Sequence, residues 1–227
     1  MEKKKESLKQ ISRVQPRNVS EGKWIRKRKS ANMFDALVPF AERRIIRMKI
    51  PGLKTERLCL REIWKEDIDE IYNCWMQDEE VSRYMWWKAS KDIEKTKEFA
   101  AYELSQLENE RWNRWIIVLE ETKEIIGTCL VFYNEEEDHW DISYNLGKKF
   151  WGKGYVTEAM CAVMKFAETE LGMRECITSY AKVNKGSANV LHKLGFRDEK
   201  ELPYEYCEGE KVTEGIWCRW ISESIMR

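Results

Sequence analysis

From about Met48 onward the apolar and polar positions fall into regular patterns. Thr55–Ile63 (TERLCLREI) alternates Leu58 and Leu60 with charged residues, which predicts a strand with one solvated face. Lys65-Glu66-Asp67 opens a predicted helix with Ile68, Ile71, Tyr72 and Trp75 on one face, and the acidic first turn suits the helix dipole. Ser90 is the expected cap of a longer helix, with Asp92 and Glu94 early and Phe99, Leu104 and Leu107 on its buried side. Three strand patterns follow, Arg114–Glu120, Glu124–Tyr133 and His139–Gly147, joined by polar connectors of hairpin length. A helix is expected over Tyr155–Leu171, a strand over Glu175–Ala181 and a short helix over Ser187–Leu194. Two last strands are expected near Phe196–Leu202 and Thr213–Ile221.

This order predicts a mixed α/β (α+β) domain whose sheet is mostly antiparallel, not the strict βαβ alternation of a dinucleotide fold. The chain has 227 residues, 43% hydrophobic and 35% charged, which suits one globular domain with an appendage. Its longest apolar runs, Trp115–Leu119 and Cys129–Tyr133, are far shorter than the ~20 residues of a membrane span, so no membrane association is expected.

The formal charge is zero, with 40 Lys and Arg against 40 Asp and Glu. Residues 1–47 hold 14 basic residues against 5 acidic ones, which leaves 26 against 35 for residues 48–227. A basic, partly disordered N-terminal extension thus precedes an acidic domain at 48–227. The extension contains the basic block Lys23–Ser30 and a stretch, Met33–Met48, that suits a short amphipathic helix interrupted by Pro39. It reads either as a solvated tail or as an arm for a ribosome, RNA or an acidic partner. Met48 is an alternative start, and the charged N-terminus lacks the apolar core of a secretory signal. Seven cysteines without a C-x-x-C pair read as reduced core residues of a cytoplasmic protein. With only two histidines, His139 and His192, and no zinc-like spacing, no metal site is expected.

The strongest chemical signal is Asn145–Met160 (NLGKKFWGKGYVTEAM), where a strand runs out, Gly152 and Gly154 flank Lys153, and a helix begins. Glycines admit a close ligand, and the unpaired N–H groups of a helix start suit a phosphate or pyrophosphate. Lys148, Lys149 and Lys153 add positive charge beside it. Thr157 stands where a dinucleotide motif needs its third glycine, and no G-K-[ST] of a P-loop is present.

Three stretches, Leu53–Arg61, Phe150–Ala159 (FWGKGYVTEA) and Asn184–Phe196 (NKGSANVLHKLGF), occur in the order found in one known group. Over residues 48–227 the chain resembles a GNAT-superfamily N-acetyltransferase of the ribosomal-protein-alanine acetyltransferase (RimJ/RimL-type) group. That resemblance implies a splayed central sheet flanked by helices, with acetyl-CoA as cosubstrate in the cleft between two parting strands. It implies that the backbones of Tyr144 and Leu146 pair with the pantetheine arm. It further implies that the turn of Trp151, Gly152, Lys153, Gly154 and Tyr155 holds the pyrophosphate, that Asn184 bonds the pantetheine, and that Ser187 donates a proton to the sulfur. Val156 departs from the superfamily's Gly or Ala at that position.

On this reading the activity is transfer of an acetyl group to a primary amine, first a protein N-terminal α-amine. The alternatives are a small amine such as a polyamine, amino acid or aminoglycoside, or a CoA-binding, ribosome-associated module without turnover. Asp141 is the favoured base, with His139 and Glu62 as further candidates, while His192 is expected to be superficial. Tyr84, Trp86 and Trp87, with Tyr206, are expected to line the acceptor pocket, where aromatic faces suit a cation. The oligomeric state stays open, a homodimer among the options.

Overall fold

The computed structural model describes residues 50–223. The basic segment 1–47, with its expected helix and its ribosome, RNA or acidic-partner reading, lies outside the described residues. The elements run β1 (Leu53–Lys54), β2 (Leu58–Arg61), α1 (Ile68–Ile71), α2 (Glu79–Ser82), α3 (Ile93–Ser105), β3 (Trp112–Leu119), β4 (Ile125–Asn134) and β5 (His139–Leu146). They continue with α4 (Tyr155–Thr169), β6 (Glu175–Ala181), α5 (Lys185–Lys193), β7 (Arg197–Tyr206) and β8 (Lys211–Ile221).

Strands β1 to β5 form a five-stranded antiparallel sheet in sequential order, and β6, β8 and β7 form a three-stranded one. Strands β3 and β4 are buried almost throughout, because both faces of the large sheet are covered. On one face Leu58, Leu60, Trp115 and Ile117 pack against Ala159, Met160, Val163 and Ala167 of α4. On the other, Ile116 and Val118 pack with Ile63, Ile71, Trp75 and Ala100 from the early helices. Each buried Leu, Ile, Val or Met side chain among them stabilises the fold by roughly 1.5–3 kcal/mol. A bulge leaves Ile126 extra, since Ile117 pairs with Gly127 and Val118 with Ile125. It therefore flips the face that β4 presents beyond it.

Several local expectations are corrected. The strand expected from Thr55 starts at Leu58, because Thr55 closes a turn: its Oγ1 accepts from Leu58 N at 3.1 Å and its N donates to Leu58 O at 3.0 Å. The helix expected from Lys65 is a 3₁₀ turn, the short α1 and a π turn over Tyr72–Met76, and the wider turn brings both Trp75 and Met76 inward. The cap of α3 is Asp92, whose carboxylate accepts from Glu94 N at 3.0 Å, while Ser90 Oγ accepts from Asp92 N. Phe99, Leu104 and Leu107 pack partly buried against the core as expected, and Thr96, Ala100 and Glu103 of α3 are buried with them. Strand β7 runs past Leu202 to Tyr206 because it is a sheet edge, where Pro203 and charged residues are tolerated. Cys129, Cys176 and Cys218 are buried, but Cys161 is exposed on α4.

Candidate active site

The two sheets meet at β5 and β6, which lie side by side, connected through α4. Here the sheet splays. Gly147 N donates to Ile126 O at 2.9 Å, so with the observed register the hydrogen-bonded pairs towards β4 fall at 147, 145 and 143. The backbone groups of Ile142, Tyr144 and Leu146 consequently face β6. Thr178 Oγ1 of β6 donates to Ile142 O at 3.4 Å, a tether at the narrow end of the gap. Beyond it the strands part around a cleft of about 560 Å³, lined by residues 141–146 of β5, 177–180 of β6 and the start of α5.

At the wide end lies the glycine turn. Gly152 and Gly154 have φ of +75° and +80°, a left-handed backbone that other residues adopt only under strain. Both line the cleft, as do Trp151, Tyr155 and Val156, and α4 begins at Tyr155 directly behind them. The Trp151 indole N–H donates to Leu146 O at 2.8 Å, so of the Leu146 backbone the expected pantetheine contact falls to its N–H. Lys153 turns its carbonyl to Arg57 Nη1 at 3.1 Å. Lys148 is paired with Glu80 at 2.8 Å and Lys149 with Glu124, so two of the three expected lysine charges are already neutralised, beside a separate groove that includes Cys74.

Helix α5 points its N-terminus at the same cleft. Asn184 caps it, with Oδ1 accepting from Ser187 N at 3.2 Å, so its carbonyl is engaged and its NH₂ is the group left to donate. Ser187 Oγ lies 3.0 Å from the Tyr144 hydroxyl, bridging β5 and α5. Burial holds the Tyr144 phenol well above its usual range.

The opposite end of β5 carries the titratable groups. The connector Asn134–Asp138 is a tight turn in which Asn134 Oδ1 accepts from Glu136 N and Glu137 N at 3.1 and 3.2 Å. That turn aims Glu137 at His139, whose Nε2 is 2.9 Å from Glu137 Oε2 while Nδ1 is 3.0 Å from Trp140 O. Burial disfavours a charged imidazole, but two acceptors, one on each ring nitrogen, outweigh it and raise the His139 pKa. Asp141 follows, half-buried on the cleft wall. Burial raises its pKa from 3.8 to about 6, against the opposing pull of Thr178, His139 and the Ile142 N–H, which donates to Oδ1 at 2.6 Å. A carboxylate of this strength is deprotonated at neutral pH, yet it is a better base than a solvated one.

Tyr84 and Trp86 line the cleft near these groups, but Trp87 packs instead against the core below β3. Glu62 is not among the residues lining the cleft. Tyr206 stacks on Tyr204 behind the cleft wall, and Tyr204, which lines the cleft, donates to Tyr84 O at 2.8 Å. His192 is on the surface, 3.0 Å from Asp198 Oδ1. Sequence reasoning missed Thr178 and Tyr180, which reach the cleft because β6 lies beside β5, and Tyr204 of β7, which is placed through the pairing of both β6 and β7 with β8. Among the described residues no helix is long and apolar enough to cross a membrane, and no cluster of three or more His, Cys, Asp or Glu could hold a metal ion.

A splayed strand pair, a glycine turn at a helix start and a second helix end converging on one cleft find their counterpart in a known domain. The acetyltransferase (GNAT) domain family matches residues 57–197. The chain belongs to the GNAT acetyltransferase family. It is therefore an acyltransferase whose acetyl donor is acetyl-CoA. The Uncharacterized N-acetyltransferase p20 of Bacillus licheniformis is 33% identical over 163 residues, 70% of this chain and 90% of that one. The [Ribosomal protein uS5]-alanine N-acetyltransferase of Escherichia coli is 28% identical over 76 residues, 34% of this chain and 37% of that one. Among solved structures, the Microcin C7 self immunity acetyltransferase MccE, in complex with acetyl-CoA and AMP, has the same fold. It aligns with a TM-score of 0.68 at 19% identity over 78% of this chain and 99% of that one.

Proposed function

We propose that this GNAT enzyme acetylates the N-terminal α-amine of a protein or peptide, with Asp141 as the base. The observation that carries this reading is the place of Asp141 on the cleft wall beside His139, where burial raises its pKa to about 6. An acceptor amine must lose a proton before it attacks. Whatever the base, an α-ammonium of pKa ~8 gives up its proton more easily than a lysine of pKa ~10.4, by roughly 3 kcal/mol. The α-amine is therefore the acceptor that asks least of Asp141. The stretch shared with the uS5-alanine enzyme supports the same acceptor class.

In this reading the Gly152–Tyr155 amides hold the pyrophosphate, and the free backbone edge at Tyr144 and Leu146 receives the pantetheine arm as an added strand. Asn184 donates from its NH₂. The Tyr144 N–H, facing the gap, polarises the thioester carbonyl. The amine nitrogen then bonds to the carbonyl carbon as the C–S bond breaks. Asp141, having passed the first proton to solvent, takes nitrogen's second, while the departing sulfur takes a proton from Ser187, which the Tyr144 hydroxyl resupplies. Tyr84 and Trp86 flank the incoming amine, where their ring faces favour its cationic form during docking.

Thiol release from acetyl-CoA, measured across a panel of free-N-terminus peptides, polyamines, amino acids and aminoglycosides, tests the reading. The peptides are expected to give the highest kcat/KM. Preference for a polyamine or aminoglycoside would overturn the acceptor class, and no thiol release with any acceptor would leave a CoA-binding module.

A further inference from the structure

The motif at Thr55–Arg61 has so far contributed only Leu58 and Leu60 to the core. Its Arg57 does something else. The side chain reaches across to the start of α4, where Nε donates to Glu158 Oε2 at 2.7 Å and Nη2 lies 2.6 Å from the same oxygen. Glu158 is held in turn by Thr55 Oγ1 at 2.5 Å and by the backbone N of Arg57 at 2.9 Å. Burial works against ionisation of Glu158, but these donors outweigh it and keep the carboxyl below its usual pKa, so the pair is charged on both sides. Thus anchored, and lying over the Tyr155 ring at 4.6 Å, the guanidinium presents Nη1 to the Lys153 carbonyl at 3.1 Å.

We propose that Arg57 is a positioning residue for the pyrophosphate turn: by holding the Lys153 carbonyl it aims the Gly154 N–H into the cleft. The Lys153–Gly154 peptide is trans, so its N–H points opposite to its C=O. The C=O faces Arg57, which does not line the cleft, and Gly154 does. Side-chain packing does little to fix the turn. A Cβ at Gly152 would meet nothing within 4 Å, and at Gly154 it would meet only Arg57 Nη2, at 3.6 Å. Glycine peptide planes in such a setting reorient readily. Arg57 supplies the missing restraint with a planar fork that bonds carboxylate and carbonyl together, which a lysine ammonium cannot reproduce in the same geometry.

The inference rests on the reading that the Gly152–Tyr155 amides hold the pyrophosphate, so the experiment separates the two. For each variant, kcat/KM is measured with acetyl-CoA and with S-acetylpantetheine, which lacks the pyrophosphate and nucleotide, and the ratio of the two is compared. General damage to the fold lowers both values and leaves the ratio. Arg57→Gln and Arg57→Lys are each expected to lower the ratio about tenfold, the worth of a charge-assisted hydrogen bond. Gly154→Asp, which puts bulk and charge into the turn itself, lowers it further. If Gly154→Asp lowers the ratio and the Arg57 variants do not, the pyrophosphate site stands and the role of Arg57 is refuted. If Gly154→Asp also leaves it unchanged, the pyrophosphate assignment fails and takes this inference with it. If Arg57→Lys keeps the wild-type ratio while Arg57→Gln loses it, charge alone acts and the positioning role is wrong. Should Arg57→Gln fail to accumulate as folded protein, Arg57→Lys carries the same comparison.

Discussion

Asp141 is held where its chemistry and the stability of the fold conflict. Because burial raises its pKa from 3.8 to about 6, the folded protein binds that proton more tightly than the unfolded chain does. The sign follows: as pH rises from about 4 to about 6, ionising Asp141 removes stability, by at most ~3 kcal/mol, and that loss persists above pH 6. Asp141→Asn keeps an oxygen to accept from Ile142 N and carries no charge. The variant is expected to melt at a higher temperature than wild type at pH 8 and to lose that advantage at pH 4, which thermal melts at the two pH values would show. Its kcat should fall by roughly 10²- to 10⁴-fold, the usual contribution of a general base. In wild type, kcat/KM should climb with pH through about 6 as the carboxylate forms. A variant as active as wild type, with an unaltered pH profile, would remove Asp141 from the mechanism.

Among the elements, α3 shows how a polar contact can be invisible in a periodic pattern. Glu103 is buried, its Oε1 2.7 Å from Arg114 Nε and its Oε2 accepting from the Trp112 indole at 2.8 Å. The partners lie on β3, and no helical period announces a contact made across the fold. Glu103→Ala would leave the Arg114 guanidinium buried without its counter-charge, at a cost of about 3–5 kcal/mol in denaturant unfolding. A loss below about 1 kcal/mol would mean that water reaches the guanidinium. The acceptor end of the cleft depends on another contact between distant elements. Cys207 N donates to Met85 O at 3.0 Å and Glu208 N to Trp86 O at 2.5 Å, so the β7–β8 turn holds the strap that carries Tyr84 and Trp86. The glycine turn was legible because glycine marks left-handed backbone by its identity. The strap was not, because backbone hydrogen bonds across some 120 residues leave no local signature.

At the scale of the whole molecule, the order of strands and helices was readable because β3 and β4 are covered on both faces and so present unbroken apolar runs. The splay was not readable from periodicity; it came only through the family resemblance, since it depends on β5 and β6 parting rather than on either strand alone. The roles first assigned to Lys148 and Lys149 came from net charge, which does not reveal that Glu80 and Glu124 stand beside them. The cleft, the half-buried carboxylate of Asp141 and the α-amine are joined into one activity. It is tested most directly by giving the enzyme, at pH 7 with acetyl-CoA, a peptide that carries both a free N-terminus and an internal lysine, and locating the acetyl group by fragment mass spectrometry. Acetylation confined to the N-terminus is the result expected; acetyl on the lysine side chain, or at both sites equally, would contradict the account.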